Sequence, residues 1–137
     1  FVGYTVEYQG KRFTFATDLG YVSPEVAEHA VQADYLLLEA NYDEQMLRQG
    51  PYPVQLQERI MADTGHLSND QAGPFLAEHY NSRTKHIFLC HLSRENNLPE
   101  VAYTTIQNYL EEKKVVVGQD VQLVTLERTD PSELYIF

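Results

Sequence analysis

Three strand-like segments of the chain each lead into a side chain that could bind a metal ion or transfer a proton. Segment 12–17 leads into Asp18, segment 36–38 into Glu39, and segment 87–90 into His91. In α/β sheets the loops beyond the carboxyl ends of the strands hold the ligand. The sequence therefore predicts that these two carboxylates and this imidazole lie at one edge of a sheet.

A fourth candidate is His66, within the run Asp-Thr-Gly-His-Leu-Ser at 63–68. The run stands directly before a helix with a capping signal. Gly65 precedes the histidine, and a glycine lets the backbone turn sharply. We expect this turn to expose the imidazole.

Each of these residues also has a purely structural interpretation. An aspartate before Leu-Gly is commonly a turn former, which could be the role of Asp18. Glu39 could be a solvent-facing carboxylate at a strand end, and His66 could bond a loop carbonyl. His91 is harder to explain in this way, because an imidazole that is buried after an apolar strand needs a partner.

The remaining histidines and the cysteine fit structural roles better. His29 and His79 lie inside helical segments beside Ala-Glu or Glu, and His86 opens a strand, so we expect all three at the exposed surface. Cys90 points to the opposite side of its strand from His91, which is typical of a small core residue.

The elements that must position the candidates follow from periodicity and capping signals. Alternating residues at 2–8 and 12–17 around Gln9-Gly10 predict a hairpin. Ser23-Pro24 predicts one helix start, Ser68 with Gln71 forms a capping box, and Asn97 is expected to be an N-cap. The pattern predicts helices over 24–32, 43–48 and 54–61, a helix that begins at 69, and a last helix that follows Asn97 and runs to about 110. It predicts further strands over 35–38, 86–90 and 121–126. Strands that alternate with helices indicate an α/β layered fold.

Composition limits the classes of function. A chain of 137 residues fits one domain, and none of its apolar runs is long enough to cross a bilayer. The single cysteine excludes an internal disulfide framework and suits a reducing compartment. A net charge of −10, with only scattered basic pairs, argues against nucleic-acid binding without metal. It leaves metal-dependent hydrolysis open, because a bound divalent cation dominates its local field.

Five ordered motifs carry a family resemblance over nearly the whole chain. They are Thr-Asp-Leu-Gly at 17–20, Glu-Ala-Asn-Tyr-Asp at 39–43, Gly-Pro-Tyr-Pro at 50–53, Gly-His-Leu-Ser-Asn at 65–69 and His-Leu-Ser-Arg-Glu-Asn-Asn at 91–97. Together they resemble the C-terminal half of the metallo-β-lactamase-fold hydrolases, specifically the YycJ/WalJ/VicX family. That family is related to tRNase Z and the ribonuclease J group.

The resemblance implies an αββα sandwich with two divalent metal ions, zinc or manganese, at one edge of its sheets. It matches Asp18 to an aspartate that bridges the metals and His91 to the last histidine on the second metal. It matches Glu39 and His66 to an acid–base dyad in which the glutamate orients the histidine. Tyr42 stands where many relatives have a histidine.

The sequence departs from the family in one large respect, since no His-x-His-x-Asp-His cluster occurs in it. Residues 1–137 are therefore expected to be the C-terminal half of one metallo-β-lactamase-like domain, with the cluster on an N-terminal half absent from this chain. The opening on Phe1 instead of Met favours the same interpretation. The segment alone is expected to bind divalent metal weakly and to hydrolyse nothing.

The family association implies a 5′-to-3′ exonuclease acting on DNA in the bacterial cytoplasm. In the complete domain the two metal ions would activate water against a phosphodiester bond. Two alternatives stay open. One is a small-molecule thioester or lactone hydrolase on the same scaffold, which the acidic charge supports. The other is a non-catalytic interaction domain with Asp18 and His91 as ordinary turn residues.

Overall fold

The computed structural model describes residues 2–128 and 130–137 and contains a five-stranded sheet in the order β1-β2-β3-β4-β5. Strand β1 runs antiparallel to β2, and β2 to β5 are parallel to one another. The strands are β1 (Val2–Tyr8), β2 (Lys11–Thr17), β3 (Tyr35–Glu39), β4 (His86–Cys90) and β5 (Gln122–Thr125). The mixed α/β class expected from the sequence is confirmed.

Helices fill the connections between the parallel strands. They are α1 (Pro24–Val31), α2 (Glu44–Gln49), α3 (Val54–Met61), α4 (Asn69–His79) and α5 (Pro99–Glu112). Crossovers between parallel strands are generally right-handed, so successive crossovers in one direction along a sheet place their helices on one face. Accordingly, α1, α4 and α5 all supply side chains to the same core. Within residues 2–128 and 130–137, no helix is both long and apolar enough to cross a membrane.

The main core lies between this helical layer and one face of the sheet. Leu38 of β3 and Leu89 of β4 point into it and are completely buried. Ala30 of α1, Leu76 of α4 and Ile106 of α5 meet them from the helical side. Burial of these side chains fixes the strands in register and so fixes where their carboxyl ends lie.

The other face of the sheet carries a cluster of aromatic rings. Phe13 stacks on Tyr35 with 4.7 Å between ring centroids, and Phe137 from the C-terminal segment lies 4.1 Å from Tyr35. His86 belongs to this cluster, 5.7 Å from Phe88, and is half-buried. The expectation that His86 is exposed surface is therefore wrong, because its strand turns it onto the aromatic face. His29 and His79 are exposed, as expected.

Two of the three expected helix caps are confirmed. The Ser23 hydroxyl accepts a hydrogen bond from the Val26 N–H, and the Ser68–Gln71 capping box is present in both directions. The Asn97 cap is wrong by one residue, since α5 has Leu98 at the N-cap position and Pro99 as its first residue. Proline suits that first position because it needs no N–H partner there.

Asn97 instead joins two loops inside the protein. Its amide donates to the Ala40 carbonyl at 2.9 Å and exchanges two hydrogen bonds of 3.0 Å with the amide of Asn69. Its oxygen also accepts from the Leu98 N–H at 2.9 Å. Asn97 and Asn69 are both buried, so neither amide has water as an alternative partner.

We predict that Asn97→Ala lowers the free energy of unfolding by about 2–3 kcal/mol, because it leaves the buried Asn69 amide without partners. Urea denaturation followed by circular dichroism measures the change. Asn108→Ala, at an exposed position of α5, is the matched control and should change stability by less than about 0.5 kcal/mol. Equal effects of the two substitutions would contradict this role of the amide pair.

Candidate metal centre

The carboxyl ends of β2, β3 and β4 bring the predicted side chains together. Asp18, Glu39, His66 and His91 each offer one ligand atom, and these atoms all lie within 4.8 Å of one another. Parallel pairing of Ala16 with Leu38 and of Leu38 with Leu89 places the three strand ends side by side. His66 reaches the same point from the loop between α3 and α4.

Glu39 occupies the centre of this cluster, and its side chain is completely buried. It is the last residue of β3, where it pairs with Cys90, and not a residue beyond the strand. Its Oε2 accepts hydrogen bonds from the N–H groups of Leu19 at 3.1 Å and Leu67 at 3.0 Å. Its Oε1 accepts from the Asp18 N–H at 3.3 Å. The solvent-facing alternative for this carboxylate is therefore wrong.

Both imidazoles also contact Glu39 Oε1. The distance from His91 Nδ1 is 2.6 Å and that from His66 Nδ1 is 3.0 Å. An ionised carboxylate only accepts hydrogen bonds, so each ring carries its proton on Nδ1 and leaves Nε2 free for a metal ion or a proton. His66 thus bonds the glutamate and not a loop carbonyl. The contact between Glu39 and His91 has no signal in the sequence.

These contacts control the charges of the cluster. Burial raises the pKa of Glu39, but hydrogen bonds from His91, Leu67 and His66 together hold that pKa below its ordinary value. The hydrogen bond to Glu39 raises the pKa of His91. The carboxylate and the imidazolium therefore stabilise each other.

Asp18 and His91 share an unusual backbone conformation. Their φ angles are 56° and 57°, in the left-handed region that few residues other than glycine adopt. Aspartate and histidine tolerate this region better than β-branched residues do, and such strain is concentrated at functional sites. The conformation turns the chain abruptly where each strand ends and brings Asp18 Oδ1 to 3.4 Å from His91 Nδ1.

One glycine, Gly20, allows the loop of Asp18 to approach the loop of His66, and a second, Gly65, allows the loop of His66 to fold closely onto the end of α3. A Cβ atom at Gly20 would lie 2.0 Å from the Asp63 carbonyl oxygen, and one at Gly65 would lie 2.2 Å from that of Ile60. Gly65 does not have a positive φ. Its importance is therefore the close approach of two backbones, and not the left-handed turn that glycine also permits.

Residues outside the predicted set fix the backbone behind His91. The Asn41 side chain donates to the His91 carbonyl at 2.7 Å, and the Asn41 carbonyl accepts from the Ser93 N–H at 2.7 Å. Tyr42 is buried beside Ser68 and is not one of the four clustered groups. Cys90 is buried, and burial raises the pKa of its thiol to about 12, so its expected role as a small core residue is confirmed.

The donor set fits a divalent metal ion. Imidazole and carboxylate ligands suit zinc and manganese alike. The exposed fractions of the side chains are 54% for Asp18, 40% for His91 and 31% for His66, so further ligands can reach these three from solvent. Glu39 is 0% exposed and supports the two rings from behind.

Comparisons with known proteins show the family to which the chain belongs. Residues 1–91 match the β-lactamase superfamily domain. The chain is 42% identical over 113 residues to exodeoxyribonuclease WalJ of Streptococcus pneumoniae, an alignment that covers 82% of this chain and 42% of WalJ. It is 36% identical over 128 residues to exodeoxyribonuclease YycJ of Bacillus anthracis, covering 93% of this chain and 47% of YycJ.

The chain therefore belongs to the β-lactamase superfamily. Within it, the resemblance to the YycJ/WalJ/VicX family is confirmed by identities of 36% and 42% over most of the chain. The chain spans less than half the length of these two relatives, at 42% and 47%.

We predict that Glu39→Gln destabilises the metal-free protein by about 1–3 kcal/mol at pH 7, because an amide cannot accept all the hydrogen bonds that converge on the carboxylate. A carboxylate whose pKa is lowered by folding contributes stability above its unfolded pKa of about 4.3 and loses it as the pH falls through the folded value. The difference between wild type and variant should therefore shrink below about pH 4. Urea denaturation in EDTA at several pH values measures it.

Glu58→Gln, at an exposed position of α3, removes the same charge without removing a buried acceptor and is the control. It should leave stability within about 0.5 kcal/mol of wild type throughout. A Glu39→Gln protein that behaves like this control would show that the buried carboxylate does not organise the cluster.

Proposed function

We propose that this chain is part of a metal-dependent phosphodiesterase that acts on DNA as an exodeoxyribonuclease. One observation carries the proposal. At the carboxyl ends of adjacent strands, one potential ligand atom from each of four side chains lies within 4.8 Å of the others; the four are Asp18, Glu39, His66 and His91. Both relatives described above are named exodeoxyribonucleases, which supports a nucleic-acid substrate.

The proposed active domain extends beyond these residues. Even if all four clustered residues were ligands, they would be too few for two metal ions, since catalytic zinc sites typically use three protein ligands each. We infer that residues 1–137 form the C-terminal half of one domain and that an N-terminal half supplies the remaining ligands. On this proposal, the segment alone binds divalent metal weakly and has no hydrolytic activity.

Asp18 and His91 are the proposed metal ligands on this half. His91 would bind through Nε2, because its Nδ1 donates to Glu39. The half-exposed Asp18 carboxylate would be the second ligand on this half, and the donor set would suit either zinc or manganese. When bound, two such ions supply an activated water and neutralise charge on the scissile phosphate.

His66 and Glu39 are the proposed acid–base pair. Glu39 accepts the Nδ1 proton of His66, which orients the ring and leaves Nε2 for proton transfer to the departing oxygen. The same carboxylate oxygen also accepts from His91. Glu39 would therefore hold one metal ligand and the general acid in a fixed relation to each other.

Two finer proposals depend on the family resemblance. We propose that hydrolysis proceeds from the 5′ end and that the protein acts in the bacterial cytoplasm. A panel of 5′- and 3′-labelled oligonucleotides, thioesters and lactones tests the first proposal. It also separates nuclease activity from hydrolysis of a small ester, which the net charge of −10 keeps as the second candidate.

We predict that Asp18→Ala and His91→Ala lose bound metal and activity together in the protein expressed from its complete gene. His66→Ala should keep its metal and lose turnover by about 10²–10⁴, because it can no longer protonate the leaving oxygen. Its turnover should recover partly on a nitrophenyl phosphate ester, because the nitrophenolate leaving group needs no proton. Elemental analysis of the purified variants and steady-state rates measure the two effects separately.

His79→Ala, in the exposed last turn of α4, is the control and should change neither quantity. Loss of metal from His66→Ala to the same extent as from His91→Ala would make His66 a ligand. Full activity of His66→Ala on a poor leaving group would remove it from catalysis.

A further inference from the structure

A groove of about 310 Å³ adjoins the loop that follows His91 and is lined by two arginines, Arg94 and Arg128. Arg94 lies three residues after His91, in the loop that follows β4, and Arg128 lies three residues after the end of β5. Because β4 and β5 are parallel neighbours, both arginines reach the sheet edge that carries the metal centre.

Both guanidinium groups are available to a ligand. Arg94 and Arg128 are exposed, and across residues 2–128 and 130–137 neither forms an ion pair with a carboxylate. Glu127 also lines the groove, so the charges facing it sum to a net positive value. This is unusual in a chain whose net charge is −10.

The part of this sheet edge where β2 ends, two strands away from β4, has the reverse character. A second groove, of about 240 Å³, contains Asp18 and Asp63 together with Tyr21 and Ser23. No Lys or Arg is among the described residues that line it. An anionic strand that leaves the metal centre therefore meets repulsion on the Asp63 side and attraction on the arginine side.

We propose that the groove of Arg94 and Arg128 is a binding subsite for backbone phosphates of the DNA strand, next to the phosphate that is hydrolysed. This inference rests on the proposed function and adds the path of the strand to it. Guanidinium groups bind phosphate oxygens in a bidentate manner, which suits them to this role. Ser93 lines the same groove, and its hydroxyl accepts from the Asn96 N–H and keeps its own hydrogen to donate.

The test compares Arg94→Ala, Arg128→Ala and the double variant with wild type in the protein expressed from its complete gene. Arg83→Ala is the matched control, because it removes the same charge from an exposed position before the amino end of β4, at the opposite edge of the sheet. Two substrates are used, a single-stranded oligonucleotide that reaches the groove and bis(p-nitrophenyl) phosphate, which is too small to reach it. Binding of a fluorescent oligonucleotide in EDTA gives a readout independent of hydrolysis.

The double variant should raise KM for the oligonucleotide by about tenfold or more, since each charged hydrogen bond is typically worth about 1.5–3 kcal/mol. Its rate on bis(p-nitrophenyl) phosphate should stay within about twofold of wild type. The slope of log binding constant against log salt should become shallower by about 0.7 for each single-strand phosphate that the variant no longer neutralises. Arg83→Ala should match wild type in every measurement.

If the double variant binds the oligonucleotide as tightly as wild type and has the same KM, the subsite is overturned and the nuclease proposal still stands. The same would follow if Arg83→Ala weakened binding as much as the double variant, because the effect would then be one of net charge. An oligonucleotide that wild type binds through the two arginines but does not cleave would support the subsite and overturn the nuclease proposal. A wild-type protein that neither binds nor cleaves the oligonucleotide would overturn both.

Discussion

The buried carboxylate of Glu39 is the interaction on which the rest of the site depends. It accepts hydrogen bonds from the backbone of the loops after β2 and before α4 and from the rings of His66 and His91. A completely buried charge is costly unless all its lone pairs are used, and here they are. The position of the loops and the orientation of the imidazoles are therefore consequences of one satisfied anion.

Backbone geometry supplies the second constraint. Three separate chain segments come within hydrogen-bonding reach through two features of the backbone. One is the left-handed conformation of Asp18 and His91, and the other is the close backbone approach at Gly20 and Gly65. Such conformations cost free energy that the surrounding packing must offset. The buried amide pair of Asn69 and Asn97 and the hydrogen bond from Asn41 to the His91 carbonyl hold the same loops from behind.

Much of the fold could be predicted from local patterns, because apolar alternation, Ser-Pro and the Ser68–Gln71 box act over a few residues. Convergence of Asp18, Glu39 and His91 also followed from their places at strand ends. Burial of Glu39, its bond to His91 and the true start of α5 could not be predicted in this way. Each depends on interactions between residues distant in sequence, such as the pairing of Asn97 with Asn69, which withdraws Asn97 from the cap.

The most direct test of the central role of Glu39 is the tautomeric state of the two clustered histidines, measured by nitrogen NMR of their rings in the metal-free protein. For each ring that carries a single proton, the account predicts that this proton is on Nδ1, where it is donated to Glu39, and that Nε2 keeps a free lone pair. His79, exposed at the surface, serves as the internal reference. Protons on Nε2 of His66 and His91, as in an unconstrained ring, would contradict the claim that Glu39 holds both imidazoles.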